Sequence, residues 1–149
     1  MIDYPSLPED VRRTVAEAAD APDAMTRTVT LLASRVPHYT WVGVYLLEGD
    51  ELVLGPFVGA PSPHTRIPLG RGICGAAAAE RATIIVDDVH RDARYLACSL
   101  ATQSEIVVPI LRGSRVLGEI DIDSDARAAF GDADRQMLEA VATILSERL

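Results

Sequence analysis

Gly118-Glu119-Ile120-Asp121-Ile122-Asp123-Ser124 alternates acidic and apolar residues with a period of two, the pattern of a strand with two unlike faces. Its isoleucines require a core on one side. Its three carboxylates require water or a polar pocket on the other, and a solvated edge is the plainer alternative. Upstream, residues 105–111 read as a second strand, joined to the first by the turn Arg112-Gly113-Ser114-Arg115. If these strands pair and their polar face looks into a pocket, Glu105, Asp121 and Asp123 converge there. Crowded carboxylates raise one another's pKa, so one of them could stay protonated and act as a general acid. Such a cluster also suits the ammonium group of an amino-acid ligand.

Farther out, residues 132–149 place Leu138, Val141, Ala142 and Leu145 on one helical stripe. Residues 41–47, with apolar character on both sides, read as a central strand, and Glu48-Gly49-Asp50 as the turn into a return strand at 51–54. Residues 55–72 are rich in proline and glycine and read as a long lid loop with a short strand at 65–67. An alanine-rich helix is expected from Gly72 to about Arg81, a short strand at 83–87, and irregular or short-helical chain over 88–103. At the start, Ser6-Leu7-Pro8-Glu9 fits a capping box for a first helix, and a second over 22–36 carries Met25, Val29, Leu32 and Val36 on one face. The expected architecture is one α+β domain over residues 1–149. Residues 1–37 supply N-terminal helices, and residues 38–149 an antiparallel sheet, pocket loops and a closing helix. Helices cover one face of the sheet and a lidded pocket lies on the other.

The charge is −8, from 14 basic and 22 acidic residues. That balance opposes binding to nucleic acid or to an anionic membrane, and no basic stripe appears. No apolar run is long enough to span a bilayer, and the first residues lack the basic start and apolar stretch of a secretory signal. The chain reads as cytoplasmic, where thiols are kept reduced and a disulfide is transient.

Two cysteines stand in this acidic setting. Cys74, in Gly72-Ile73-Cys74-Gly75, lies at a helix start, where unpaired N–H groups favour a thiolate; it also fits as a small residue packed between helix and sheet. Cys98, in Tyr95-Leu96-Ala97-Cys98-Ser99, lies on a connection between strands, either reactive or packed into the core. Their spacing is not that of a redox pair, and two cysteines without a paired histidine motif make a zinc site improbable, so no metal is expected. His38, His64 and His90 are isolated and read as surface or loop residues. Trp41 fits a core or a pocket wall equally.

Taken together, several stretches resemble the free methionine-(R)-sulfoxide reductases, a family built on a GAF domain. They are Trp41-Val42-Gly43-Val44-Tyr45, Leu54-Gly55-Pro56-Phe57, Arg66-Ile67-Pro68, Gly70-Arg71-Gly72-Ile73-Cys74-Gly75, Asp87-Asp88-Val89, Leu96-Ala97-Cys98, Ser104-Glu105-Ile106-Val107, Pro109 and Asp121-Ile122-Asp123-Ser124. The resemblance implies reduction of free methionine sulfoxide with Cys98 as the attacking thiol. Glu105, Asp121 and Asp123 would bind and protonate the sulfoxide and grip the amino group, and Trp41 and Tyr45 would line the substrate. The sulfenic acid left on Cys98 would condense with a second cysteine, and thioredoxin, an external reductant, would reduce the disulfide, with no bound cofactor. Members commonly carry a third cysteine where this chain has His64, which leaves Cys74 or an external thiol to resolve the sulfenic acid. Two further readings stay open: a GAF module that binds a small molecule without turnover, and a domain that forms a homodimer through its helical face.

Overall fold

The computed structural model describes residues 2–97 and 99–149. Six strands form one antiparallel sheet: β1 (Trp41–Glu48), β2 (Glu51–Val58), β3 (Arg66–Pro68), β4 (Ile84–Val86), β5 (Ser104–Arg112) and β6 (Arg115–Ser124). Their order across the sheet is β3-β2-β1-β6-β5-β4, so the acidic strand β6 and the apolar strand β1 lie side by side at the centre. Helices α1 (Leu7–Ala16), α2 (Ala21–Arg35) and α4 (Asp132–Ser146) cover one face, and α3 (Gly72–Glu80) lies on the other.

The period-two pattern places the two cores. Val42 and Val44 of β1, Ile120 and Ile122 of β6, and Ile106, Val108 and Ile110 of β5 point to the three-helix side. There they meet Leu7 and Val11 of α1, Met25, Val29 and Leu32 of α2, and Leu138, Val141 and Leu145 of α4. The opposite side holds a second cluster that includes Trp41, Tyr45, Ile67, Ile73, Cys74, Ala77 and Val107. Covered on both faces, β1 is buried over its first five residues, as expected of a strand without alternation in polarity.

Three local expectations change. The return strand does not stop at Leu54 but runs to Val58, still paired with β1 through Val42↔Val58 and Gly43↔Phe57. The register shifts between Gly43 and Tyr45, which places Gly55 and Pro56 in a bulge, where proline's missing N–H costs no ladder bond. The lid loop before β3 therefore shrinks to residues 59–65. The capping box at Ser6 is not formed: Ser6 makes no side-chain cap bond, and the Asp3 carboxylate instead accepts from the Ser6 N–H at 3.3 Å, opening a 3-10 turn at Tyr4–Ser6. The second helix begins at Ala21, because the Asp20 carboxylate accepts from the Asp23 N–H at 2.9 Å. Among the described residues no helix is long and apolar enough to cross a membrane.

Candidate active site

The site is built on three neighbouring strands. Antiparallel register sets Trp41, Gly43 and Tyr45 of β1 opposite Asp123, Asp121 and Glu119 of β6. On the other side of β6, Glu105, Val107 and Pro109 of β5 stand opposite the same three acids. All of them project away from the three-helix core. Helix α3 and two connections, residues 59–65 and the described residues 87–97 and 99–103, close over them, so the carboxylates face a covered pocket and not water. Glu105, Asp121 and Asp123 are at most 5% exposed and Glu119 is fully buried, which removes the solvated-edge alternative.

Helix α3 brings Cys74 onto this floor. Gly72, with φ +68°, makes the turn into the helix and lies so close to Leu96 that a Cβ would come within 2.8 Å of its side chain. Two residues later the Cys74 thiol faces the carboxylates: Sγ is 4.0 Å from Glu105 Oε2. One ligand-type atom each from Cys74, Glu105 and Asp121 lie within 4.8 Å of one another. Of the two readings of Cys74, the packed residue fits this setting and the thiolate at a helix start does not. Burial, followed by the charges of Asp121, Glu119 and Glu105, pushes the Cys74 thiol well above its ordinary pKa. A helix terminus offsets only a fraction of a charge, and three carboxylates outweigh it. Cys74 is a resting thiol.

Burial likewise raises the pKa of Glu119, Asp121 and Asp123, with the charge of Asp121 adding to the rise at Glu119 and Asp123. No cation offsets them: among the described residues these three make no ion pair, Glu119 has only the Cys74 thiol as a polar neighbour besides the other carboxylates, and Asp121 Oδ1 and Asp123 Oδ1 have no hydrogen-bond partner. Such a floor attracts a proton or a positively charged ligand.

Two cavities open on it. The inner one, about 20 Å³, is lined by Tyr45, His64, Cys74, Leu96, Glu105 and Asp121, among others. The outer one, about 140 Å³, has Trp41, Ala60, Ser99 and Asp123 in its wall. Trp41 belongs to both core and pocket. Its ring stacks on Phe57 with centroids 5.6 Å apart, its Nε1–H donates to Ala60 O at 2.9 Å, and it lies across Gly43, where a Cβ would come within 2.3 Å of the ring.

The lids are tied to the floor and to each other. The Tyr45 hydroxyl donates to His64 O at 2.8 Å. His64 Nε2 lies 3.0 Å from Ala97 O, and since a carbonyl only accepts, that nitrogen carries the hydrogen. His64 is thus a latch between the two lids and no isolated loop residue. His38 is half-buried 4.0 Å from Asp134, and His90 packs edge-on to Tyr95 at 6.2 Å, both away from the pocket. The structure gathers Trp41, Tyr45, Cys74, Glu105, Asp121 and Asp123, whereas Cys98 lies outside the described residues. Sequence reasoning left Glu119 out of the site and missed the His64 latch. Period two already put Glu119 on the acidic face; nothing local marks His64, whose partner is 33 residues away.

A family model described as "GAF domain" matches residues 21–149. The chain is similar to the free methionine-R-sulfoxide reductase of Escherichia coli K12, at 38% identity over 98% of this chain and 88% of that protein. It is similar also to the X-ray structure of free methionine-R-sulfoxide reductase from Neisseria meningitidis in complex with its substrate, with a TM-score of 0.93, 38% identity, and coverage of 97% of this chain and 87% of that one. The type II free methionine-R-sulfoxide reductase from Thermoplasma acidophilum matches with a TM-score of 0.81 and 38% identity over 95% and 93% of the two chains.

Proposed function

This chain is a GAF domain of the free methionine-R-sulfoxide reductase family, oxidoreductases that return free methionine-R-sulfoxide to methionine, and we propose how its own residues carry the reaction. One observation supports the assignment of roles above all: a buried thiol and converging carboxylates share a covered pocket whose wall is a tryptophan.

The substrate ammonium sits among the carboxylates of Glu105, Asp121 and Asp123. The methyl sulfoxide end packs on Trp41 and Tyr45. A carboxyl held protonated by burial donates to the sulfoxide oxygen. Cys98, assigned by its place in Leu96-Ala97-Cys98, attacks the sulfoxide sulfur; the protonated oxygen then passes as hydroxyl from that sulfur to Cys98 Sγ, so the S–O bond and the transient S–S bond both break and methionine leaves. Two electrons pass from the thiol to the substrate, and Cys98 becomes a sulfenic acid. Cys74 then attacks that sulfur, its proton and the sulfenic hydroxyl leave as water, and a Cys74–Cys98 disulfide forms. Reduction by a thioredoxin dithiol, in the reducing cytoplasm, restores both thiols. His64 holds the lids together in the place of a third thiol, which leaves Cys74 as the resolving residue. The inner cavity has room for about one water, so the latch between His64 and Ala97 opens to admit an amino acid.

Consumption of NADPH through thioredoxin reductase and thioredoxin, with separate R and S epimers of free methionine sulfoxide, tests this reading. The R epimer is expected to turn over and the S epimer not. Cys98→Ser abolishes methionine release, while Cys74→Ser releases about one methionine per chain and then stops. A Cys98→Ser variant that still releases methionine overturns the assignment of attacker. No turnover of either epimer with thioredoxin or dithiothreitol overturns the reductase.

A further inference from the structure

Glu119 has no part in that reaction. It does not line either cavity of the site, and it is fully buried with no cation beside it among the described residues. It lies instead beside the Cys74 thiol, whose other polar neighbours are Glu105 and Asp121. A buried carboxylate left this way is costly unless a proton or a cation offsets it.

The geometry in front of the thiol suits a cation. The Cys74, Glu105 and Asp121 donor atoms, all buried, lie within 4.8 Å of one another, with 4.0 Å between Sγ and Oε2. Zinc bonds of about 2.3 Å to sulfur and 2.0–2.2 Å to oxygen put tetrahedral ligands roughly 3.5 Å apart, so small side-chain shifts close the set. Asp121, whose buried Oδ1 has no hydrogen-bond partner, lines this space, which at about 20 Å³ holds one atom-sized occupant. A thiolate with two carboxylates favours a borderline-soft ion over magnesium or calcium, which take oxygen alone.

We infer that Cys74, Glu105 and Asp121 form a binding site for one thiophilic divalent cation of the zinc class, and that its occupation shuts the enzyme down. The bound ion displaces the thiol proton, takes the carboxylates from the substrate ammonium and removes the resolving thiol. Residues 74, 105 and 121 come from α3, β5 and β6, which is why ligand spacing in the sequence argues against zinc while the fold assembles a site. The inhibitory half of this inference rests on the proposed function; the binding half stands without it.

The test uses reduced protein carrying Cys98→Ser, in which Cys74 is the only thiol. Titration with Co²⁺ alone is expected to saturate at one ion per chain with a thiolate-to-cobalt charge-transfer band, displaced by Zn²⁺. Asp121→Asn and Glu105→Gln are each expected to weaken binding at least tenfold, with unchanged far-ultraviolet circular dichroism. In the wild-type chain, Zn²⁺ should inhibit sulfoxide turnover, reversibly by chelator and in competition with methionine sulfoxide. Absence of the band, or a band of equal affinity in both Asp121→Asn and Glu105→Gln, overturns the site. Sulfoxide turnover indifferent to saturating Zn²⁺ overturns the inhibition. A chain that binds Co²⁺ through Cys74 but reduces no sulfoxide keeps the metal site and sinks the reductase.

Discussion

At the residue scale, Trp41 does two jobs that a smaller apolar residue could not combine. Its ring stacks on Phe57 and covers Gly43, while its N–H reaches the lid at Ala60 O. Only glycine at position 43 leaves room for that ring, so the Trp41-Val42-Gly43 sequence is a steric unit. Trp41 is also the sole tryptophan of the chain, which makes it a reporter. Free methionine-(R)-sulfoxide is expected to change its fluorescence emission saturably, and the S epimer much less. Trp41→Leu should keep the fold and raise KM about tenfold, equivalent to roughly 1.4 kcal/mol of lost contact. An unchanged KM would place the substrate elsewhere than on this wall.

At the scale of elements, the join between β1 and α4 is fixed by a buried polar contact. The Tyr39 hydroxyl, just before β1, donates to Asp134 Oδ1 of α4 at 2.5 Å, and the other Asp134 oxygen accepts from the Gly131 N–H at 2.9 Å. Tyr39 also stands among aromatic neighbours, with Phe130 at 5.6 Å and His38 at 5.1 Å. Burial, then the Asp134 hydrogen bond and charge, hold the Tyr39 hydroxyl protonated far above its ordinary range, and the same carboxylate helps push Tyr4 up to about 12. The folded chain therefore keeps protons that the unfolded chain releases near the ordinary tyrosine pKa of about 10. The stability these groups contribute is full below that pH and is lost as pH rises above it. Tyr39→Phe, which removes the 2.5 Å donor of Asp134 Oδ1, is expected to cost about 1–3 kcal/mol at pH 7 and to make the fall in stability above pH 10 shallower. Urea unfolding at both pH values checks this, and an equally steep alkaline fall in the variant would refute it.

For the whole molecule, one sheet separates two cores with different duties. The three-helix side is apolar and tightly filled; the other side buries carboxylates, a thiol and a cavity. Stability and catalysis are accordingly divided between the faces. Leu138→Ala, fully buried on the helix side, is expected to cost about 2–5 kcal/mol while leaving KM for the sulfoxide within about twofold. Denaturation midpoints set beside steady-state kinetics measure both; a KM that rises with the loss of stability would show that the faces are coupled through the sheet.

Much of the fold was legible in the chain because its signals are local. Period two in residues 118–124 set the acids and isoleucines on opposite faces, the stripe of Leu138, Val141, Ala142 and Leu145 set the inner side of α4, and the Arg112-Gly113-Ser114-Arg115 turn joined β5 to β6. The motif stretches led to Trp41, Tyr45, Glu105, Asp121 and Asp123, which the register then brought to one floor. Other features depend on residues distant in sequence. Pro56 reads as the end of a strand until the bulge opposite Val44 shows it can sit inside one. Cys74 reads as thiolate or packed thiol alike until three carboxylates from β5 and β6 surround it, since a charge is set by what lies within a few ångströms and not by helix position alone. The sequence by itself determined the elements, their inward faces and the chemical types available. The tertiary structure decided which of those groups share a low-dielectric space: His64 on Ala97, Glu119 behind the thiol, Asp121 in front of it.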